Sequence, residues 1–182
     1  LAFLSEDHTP VNVQSQLIGR HNFHNIMTAV ALGVYFKVPA EKIKAAIEAY
    51  LPANNRSQIL QRNENTILLD AYNANPSSMQ VALETLRDLP AKHKIAILGD
   101  MLELGAESLH EHRAILRFAA RCRFDQLVVV GAEFGRCAPE AFNALHFPDA
   151  DAAKAWFQSR DFQNHTILVK ASRGLRLERV VE

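Results

Sequence analysis

The sequence feature that most constrains the fold is the polar stretch between Asp70 and Met79, Asp-Ala-Tyr-Asn-Ala-Asn-Pro-Ser-Ser-Met. Ahead of it, residues 66–69 are Thr-Ile-Leu-Leu and have the apolar character of a short buried strand. Behind it, apolar residues recur at the spacing of one helical face, at Met79, Ala82, Leu83 and Leu86. Open α/β sheets bind their ligands at polar turns between a strand and a helix. The stretch therefore predicts a binding loop at the carboxyl edge of a sheet.

Pro76 marks the end of this turn, because proline cannot continue a strand and keeps the preceding Asn75 out of helical geometry. Ser77, with Gln80 three residues later, fits a capping box that would begin the helix. Such a helix start leaves backbone N–H groups facing the loop, which favours an anionic ligand. The alternative is an ordinary turn, since Asn, Pro and Ser are common in turns of every kind.

An alternation of strand and helix patterns continues to the end of the chain. Short apolar runs predict strands at residues 57–61, 66–69, 94–98, 126–130, 144–147 and 166–170. Helical spacing predicts helices at residues 78–87, 107–121, 150–159 and 173–181. The first two strands are close enough along the chain to form a hairpin. The alternation predicts an α/β fold, with a doubly wound, mostly parallel sheet and helices on both faces.

The beginning of the chain has a different pattern. Residues 11–18 alternate like a half-buried strand, and an apolar helix is predicted from 23 to 36. Apolar residues surround most of that helix, so we expect it to be well buried. A second helix begins at Pro39, and residues 51–55, Leu-Pro-Ala-Asn-Asn, then break the pattern. We therefore expect two parts, residues 1–52 and 53–182, joined at this linker.

Composition narrows the classes of function. Lys and Arg total 20 and Asp and Glu total 20, so no net field attracts the chain to nucleic acid or to an anionic membrane. No apolar run approaches the roughly 20 residues that span a bilayer. Cys122 and Cys137 lack metal or redox spacing, which is typical of reduced thiols in a cytoplasmic protein. His110 and His112 lie two apart, so they do not share a helix face and make a poor metal pair, and we expect them to be exposed or part of a hydrogen-bond network.

The chain lacks the glycine-rich loops that hold nucleotide phosphates, both Gly-x-x-x-x-Gly-Lys-Ser/Thr and Gly-x-Gly-x-x-Gly after a strand. It also begins at Leu1 without an initiator methionine, so we expect a piece of a longer protein. The chain can still contribute side-chain contacts to a nucleotide that another part of the protein binds. Asn22 can donate and accept hydrogen bonds at a base or ribose, or simply cap its helix. Arg56 can bind a phosphate or be an ordinary surface residue, and Asp70 can hold Arg56 or cap its own loop.

Four stretches resemble the Mur ligases, in the same order and with similar spacing. They are Gly-Arg-His-Asn at residues 19–22 followed by Asn25, the stretch 70–79, Leu-Gly-Asp-Met-Leu-Glu-Leu-Gly at 98–105, and Val-Lys-Ala-Ser-Arg at 169–173. The resemblance runs from about residue 18 to the end of the chain. It implies that residues 53–182 form the Rossmann-like C-terminal domain of this family, and that residues 1–52 are the tail end of the central ATPase domain. The UDP-sugar domain and the phosphate-gripping loop would lie upstream.

The resemblance also assigns roles to residues of these motifs. The implied nucleotide-binding residues are His21, Asn22, Arg56, Asp70, Asn73 and Asn75. The implied substrate-binding residues are Asp100 and Glu103 for an ammonium group, and Lys170, Ser172 and Arg173 for a carboxylate. Ser172 is also expected to cap the last helix. No residue is assigned a catalytic or metal-binding role.

Two departures from the family pattern fall within these motifs. The family has Pro-Gly-Arg where this chain has Asn54-Asn55-Arg56. The arginine is kept, but the glycine at the hinge between the two parts is not. It has Lys-Gly-Ser-Arg where this chain has Ala171 in place of the glycine, a change of one methyl group.

The implied activity is ATP-driven amide formation. The carboxylate of a UDP-N-acetylmuramoyl tripeptide would be phosphorylated, and the amine of D-alanyl-D-alanine would attack the acyl phosphate. ATP and Mg²⁺ are the implied cofactors, with most Mg²⁺ ligands upstream of this chain. The implied partners are these substrates and the protein's own N-terminal and central domains, in a cytoplasmic monomer that binds neither nucleic acid nor membrane.

Three alternatives stay open. The first is a sister ligase for folate polyglutamate or another muramoyl amino acid, and the second is a domain that binds ligand without catalysis. For the isolated chain we expect binding only. The third is an unrelated doubly wound module, such as a receiver or flavin domain. A receiver would need paired acids after its first strand, and the sequence has none there.

Overall fold

A computed structural model describes residues 1–5, 7–17, 19–53 and 55–182, without the side chains of Arg20 and His21. The chain divides into two compact units, Leu1–Pro52 and Ala53–Glu182. The division falls within the turn-rich stretch at residues 51–55. None of the helices in these described ranges is long and apolar enough to cross a membrane.

The first unit combines a small antiparallel ribbon with two helices. Its elements are β1 (Ala2–Leu4), β2 (Pro10–Asn12), α1 (Arg20–Tyr35) and α2 (Ala40–Ala49). Its buried core consists of Phe3, Val13, Ile26, Val30 and Ile43. The ribbon and both helices therefore contribute to one small hydrophobic cluster.

Two predictions for the first unit are wrong. The strand predicted at residues 11–18, the last of which lies outside the described residues, ends at Asn12 because its partner β1 has only three residues. The chain then turns towards α2, where Gln14 N donates to Glu48 Oε1 at 3.0 Å. The helix predicted to be well buried is buried along one face. Phe23 and Tyr35 of α1 are exposed, because this small unit covers only the side of the helix that carries its core residues.

The second unit contains a six-stranded sheet. Its strands are β3 (Gln58–Arg62), β4 (Asn65–Asp70), β5 (His93–Gly99), β6 (Gln126–Val130), β7 (Leu145–Phe147) and β8 (His165–Lys170). They lie in the order β3-β4-β8-β5-β6-β7. The β3–β4 hairpin is antiparallel and every other pairing is parallel. The predicted mostly parallel sheet and its hairpin are thus confirmed.

Helices connect the parallel strands and cover both faces of the sheet. They are α3 (Pro76–Asp88), α4 (Ser108–Cys122), the four-residue α5 (Ala132–Gly135) and α6 (Ala150–Gln158). Alternate strand residues such as Ile67, Ile97 and Val169 form one core cluster with Ala150 and Ala153 of α6. Helices α3 and α4 pack against each other and place a second set of buried residues at Met79, Leu83, Leu86, Ile115 and Leu116.

The last predicted helix is wrong. Residues 173–181 form two short 3₁₀ segments, Arg173–Leu175 and Leu177–Val181. Arg176 lies between them with φ 49°, and a left-handed residue cannot continue a right-handed helix. The apolar spacing of this stretch still serves the core, since Leu177, Val180 and Val181 are buried in the same cluster as α6.

Candidate functional site

Four parallel strands end side by side at the carboxyl edge of the second unit's sheet. Asp70 of β4 is paired in register with Lys170 of β8, and Gly99 of β5 with Val130 of β6. The last residues of these strands and the connections that follow them include every sequence-predicted site residue from Asp70 onwards. In α/β sheets this edge is where ligands bind.

Lys170 ties two of these loops together. Its side chain is 2% exposed, and Nζ donates to Asp70 Oδ2 at 2.6 Å and to Asn73 O at 3.1 Å. The other oxygen of Asp70 accepts a hydrogen bond from Ser57 N at 3.3 Å. The sequence interpretation in which Asp70 holds Arg56 is therefore wrong, because the partner in register on the neighbouring strand is a lysine. The Lys170 ammonium is engaged within the protein and faces no open surface.

Arg56 instead lies over the ring of Tyr72. Its guanidinium carbon is 3.6 Å from the ring centroid, a cation–π stack between an exposed Arg and a partly exposed Tyr. The stack holds the positive charge beside the loop that follows β4. Sequence reasoning did not identify Tyr72 as a site residue, although it lies within the motif.

The two asparagines of the loop have different roles. Asn75 is the N-cap of α3: its Oδ1 accepts from Ser78 N at 2.8 Å, and Ser78 Oγ accepts from Asn75 N at 3.1 Å. The capping box is thus Asn75 with Ser78, and the predicted box of Ser77 with Gln80 is wrong because the helix begins at Pro76, so that Ser77 already lies in its first turn. Asn73 is exposed, and its Oδ1 accepts from Ala74 N at 2.8 Å.

Ser172 joins the loops after β4 and β5. Its buried Oγ accepts from Leu102 N at 2.9 Å and lies 3.4 Å from Ala74 O, to which it donates. Its backbone N–H donates to Asp100 O at 3.2 Å. The predicted N-cap role is wrong, because Ser172 makes no side-chain cap and precedes a 3₁₀ segment of three residues. Ser172 therefore links the two loops through its side-chain hydrogen bonds.

Asp100 is buried and engaged in a similar way. Its Oδ1 accepts from Phe134 N and its Oδ2 from Glu133 N, both at 2.9 Å, so the carboxylate caps the first turn of α5 from a different strand. Gly131 permits this approach, since it has φ 116° and a Cβ there would overlap the Asp100 carboxylate. The geometry favours a structural role for Asp100, and its contact with an ammonium group stays a prediction.

His112 supports the same loop from α4. The ring is fully buried, its Nε2 accepts from Met101 N at 2.9 Å, and its Nδ1 lies 2.7 Å from Ser108 O. Because a carbonyl can only accept, Nδ1 carries the proton and the ring is the neutral tautomer. The prediction that this pair of histidines is exposed or in a network is confirmed, since His110 is exposed.

Glu133 completes this cluster at the start of α5. The Ser108 hydroxyl donates to Glu133 Oε2, and this hydrogen bond lowers the pKa of the Glu133 carboxyl below its ordinary value, with a smaller contribution from Arg136. The carboxylate therefore stays ionised beside a buried neutral imidazole.

Among the predicted substrate-binding residues, Glu103 and Arg173 are the two whose charged side chains are exposed at this edge. Glu103 is exposed, with φ 67°. The Arg173 side chain is 57% exposed, and its Nη1 donates to Glu178 Oε1 at 2.8 Å. The two residues lie on loops that are joined by the Leu102–Ser172 hydrogen bond. An acidic and a basic side chain are thus exposed on neighbouring loops at the carboxyl edge of the sheet.

Comparison with known proteins identifies the family. A family profile described as "Mur ligase, glutamate ligase domain" matches residues 55–173, more than half of the chain. The chain belongs to the Mur ligase family. The match contains the loops after β4 and β5 and reaches Arg173, so it includes the predicted site residues of the second unit.

Three proteins illustrate how similar this Mur ligase chain is to known members. The UDP-N-acetylmuramoyl-tripeptide–D-alanyl-D-alanine ligase of Escherichia coli (strain K12) is 34% identical over 174 residues, which are 94% of this chain and 38% of that protein. The structure of MurF from Acinetobacter baumannii matches with a TM-score of 0.85 at 28% identity, over 94% of this chain and 39% of that one. MurF from Thermotoga maritima in complex with ADP has a TM-score of 0.76 at 21% identity, over 99% of this chain and 41% of that one, and shows the shared fold. The chain spans about two fifths of the length of the relatives it matches.

The remaining Mur-type motif lies in the first unit. Asn22, in the first turn of α1, is buried, and its Oδ1 accepts from Asn25 Nδ2 at 3.3 Å. The motif residues Asn22 and Asn25 are therefore in contact. The side chain of His21 lies outside the described part of the chain.

The acidic, histidine and cysteine side chains of the described ranges do not cluster as metal ligands. These ranges contain no group of three or more His, Cys, Asp or Glu side chains arranged to hold a metal ion. Cys122 and Cys137 are free thiols, and burial raises the pKa of both. Their thiol forms are thereby favoured over thiolate ligands.

Proposed function

We propose that this chain is the C-terminal part of an ATP-dependent ligase that joins D-alanyl-D-alanine to a UDP-N-acetylmuramoyl tripeptide, a step in the synthesis of peptidoglycan precursors. Residues 53–182 are its C-terminal domain, and residues 1–52 are the tail end of its central ATPase domain. The family match and the E. coli relative, whose name states this activity, support the proposal.

The observation that carries the proposal is the contrast, at the carboxyl edge, between polar side chains that are buried and engaged and charged side chains that are exposed. Lys170, Asp100 and Ser172 are buried and hold loops together, whereas Glu103 and Arg173 remain open on adjoining loops. A dipeptide carries one ammonium and one carboxylate group. Arg173 provides a planar fork for the carboxylate, and Glu103 provides an acceptor for the ammonium.

The nucleotide is proposed to lie against the loop after β4. Arg56 presents an exposed guanidinium held on Tyr72, and Asn73 an exposed amide, so the residues present suit contacts to a phosphate and to a ribose or base. Asn75 and Asp70 act through the loop, since their side-chain oxygens are engaged in the cap and the Lys170 pair. His21 and Asn22 are assigned to the nucleotide from the first unit.

Mg²⁺ belongs to the same proposal, with most of its ligands supplied by the part of the ligase upstream of this chain. The ion would supply Lewis-acid stabilisation of the charge that develops during phosphoryl transfer. The contribution of this chain is electrostatic. Arg56 adds positive charge beside the phosphates, and this charge stabilises the negative charge of the transition state for phosphoryl transfer.

The chain's residues are proposed to act by positioning. ATP transfers its terminal phosphoryl group to the tripeptide carboxylate and leaves as ADP. The dipeptide amine then attacks the acyl phosphate, loses a proton and expels inorganic phosphate, which leaves the new amide bond. Arg173 and Glu103 fix the two ends of the dipeptide, so that the amine is held in one orientation for the attack. Residues 53–182 are the domain that delivers the dipeptide and closes over ATP. The complete protein is proposed to be a cytoplasmic monomer, and the isolated chain to bind without catalysing.

A sister ligase for folate polyglutamate or another muramoyl amino acid would share the fold and differ in the acceptor. The experiment is therefore an amide-resolved NMR titration of this chain with D-alanyl-D-alanine and, separately, with L-alanyl-L-alanine. We expect shifts at Glu103, Arg173 and the neighbouring loop residues with the D,D form only. Equal shifts with both dipeptides, or none at millimolar concentration, would overturn the assignment of a D,D-dipeptide site to this chain.

A further inference from the structure

We propose that Glu178 is the positioning residue of Arg173, and that it holds the guanidinium in the orientation that receives the carboxylate of the incoming dipeptide. This inference rests on the proposed function. Sequence reasoning gave Glu178 no role, and the match to the family profile ends before it, at residue 173.

The pair is strongly asymmetric in its burial. The Glu178 side chain is 12% exposed, whereas the Arg173 side chain is 57% exposed. An ordinary surface ion pair, such as Arg179 with Asp151 nearby, has both side chains largely in solvent. The acid of the Glu178–Arg173 pair is therefore a fixed anchor, and the base is the part that can meet a ligand.

Glu178 is anchored by the core around it. The adjacent Leu177 and the following Val180 and Val181 are all buried in the main hydrophobic cluster. The carboxylate is attached to a backbone segment that cannot move without disturbing this packing. The hydrogen bond from Arg173 Nη1 to Glu178 Oε1, at 2.8 Å, transfers that rigidity to the guanidinium.

The second carboxylate oxygen of Glu178 shows that packing alone does not explain a glutamate at this position. Glu178 Oε2 is buried and has no hydrogen-bond partner among the described residues. A buried acceptor without a partner destabilises a protein, and an apolar side chain of similar size would avoid that cost. A charge kept at this cost is explained by what it does to Arg173.

The orientation leaves most of the guanidinium for a ligand. Glu178 engages Nη1, and no described residue accepts from Nη2 or Nε of Arg173. A guanidinium has five N–H donors in a rigid fork, so a carboxylate can bind the remaining edge through two parallel hydrogen bonds. Because the long side chain is already held, less rotamer freedom is lost when the dipeptide binds.

The test measures KM for D-alanyl-D-alanine and for ATP in the complete ligase that contains this chain. Glu178→Ala is expected to raise the dipeptide KM about tenfold, the effect of losing one charge-assisted hydrogen bond, and to change the ATP KM less than about twofold. Glu178→Gln keeps the shape and one acceptor without the charge, so it should raise the dipeptide KM only about threefold. Asp151→Ala is the matched control, since it removes the acidic partner of the exposed Arg179.

A dipeptide KM for Glu178→Ala equal to that of Asp151→Ala would overturn the inference, as would equal increases in both KM values. Thermal unfolding of each variant identifies a loss of fold, and Glu178→Gln preserves the test if the alanine variant unfolds. Failure of the proposed function gives a different result, because Arg173→Ala would then leave the dipeptide KM unchanged. A ¹⁵N relaxation measurement at Arg173 Nε in this chain tests the anchor without substrate: Glu178→Ala should increase its mobility, and unchanged relaxation would contradict the anchoring.

Discussion

At the residue scale, this site shows that two charged residues of one motif can differ completely, one held inside the protein and the other exposed at its surface. Asp100 and Glu103 lie three residues apart in one motif, and the sequence predicted the same ammonium-binding role for both. The structure buries Asp100 against the backbone N–H groups of Glu133 and Phe134, and leaves Glu103 exposed. The sequence could not show this, because the donors that engage Asp100 come from the next strand–helix connection.

The pair between Lys170 and Asp70 gives the first residue-scale prediction. Lys170→Met leaves the Asp70 carboxylate and the Asn73 carbonyl without their shared donor. Removing one partner of a buried pair costs about 3–5 kcal/mol, and the cost should be nearer 2–3 kcal/mol here because a quarter of the Asp70 side chain is exposed. Urea unfolding followed by the fluorescence of Trp156, the single tryptophan, measures it.

The control for this variant is Lys92→Met, which removes an exposed lysine of the same unit and should change the free energy of unfolding by less than about 0.5 kcal/mol. A Lys170→Met variant as stable as the Lys92→Met variant would contradict the structural role of the pair.

Gly131 gives the second residue-scale prediction. Gly131→Ala places a Cβ against the Asp100 carboxylate at φ 116°, so the cap of α5 must shift and we expect a loss of about 3 kcal/mol or more. Gly105→Ala is the matched control, since Gly105 has φ 55° with open space around it and should lose only about 1–2 kcal/mol. The same unfolding measurement separates them, and equal losses would show that the Asp100 contact is unimportant.

At the element scale, helix starts decide which loop groups are free for a ligand. The start of α3 was predicted to within two residues, but the capping side chains were not, because Asn, Pro and Ser all favour turns and several registers of the cap fit the same letters. The final stretch was predicted as one helix from its apolar spacing. That spacing did reflect burial, and the left-handed Arg176 that divides the stretch has no signal in the sequence.

The cap of α3 yields an element-scale prediction. Asn75→Ala removes the acceptor for Ser78 N and should destabilise the second unit by about 1 kcal/mol. Ser77→Ala removes only a hydroxyl that donates to Asn75 Oδ1, so the expected loss is below about 0.5 kcal/mol. Urea unfolding followed by Trp156 fluorescence measures both variants. A larger loss of stability for Ser77→Ala than for Asn75→Ala would contradict the Asn75–Ser78 capping box and favour the box of Ser77 with Gln80.

At the scale of the whole molecule, the α/β fold follows from the sequence because most of the predicted strands are apolar runs and three of the connections between them have helical spacing. The runs at 94–98 and 126–130 are buried along almost their whole length, as strands covered on both faces must be. The order of the strands could not be predicted, because insertion of β8 between β4 and β5 depends on long-range packing. That insertion brings Arg173 beside the loop of Glu103.

The most direct test of the proposed function is the acceptor specificity of the complete ligase that contains this chain. Phosphate release is measured with ATP, Mg²⁺, a UDP-N-acetylmuramoyl tripeptide and one of three acceptors: D-alanyl-D-alanine, L-alanyl-L-alanine or L-glutamate. Phosphate release is predicted with D-alanyl-D-alanine alone, with a product whose mass has increased by one dipeptide residue. Release with L-glutamate or L-alanyl-L-alanine, and none with D-alanyl-D-alanine, would contradict the assignment and identify a sister ligase of the same fold.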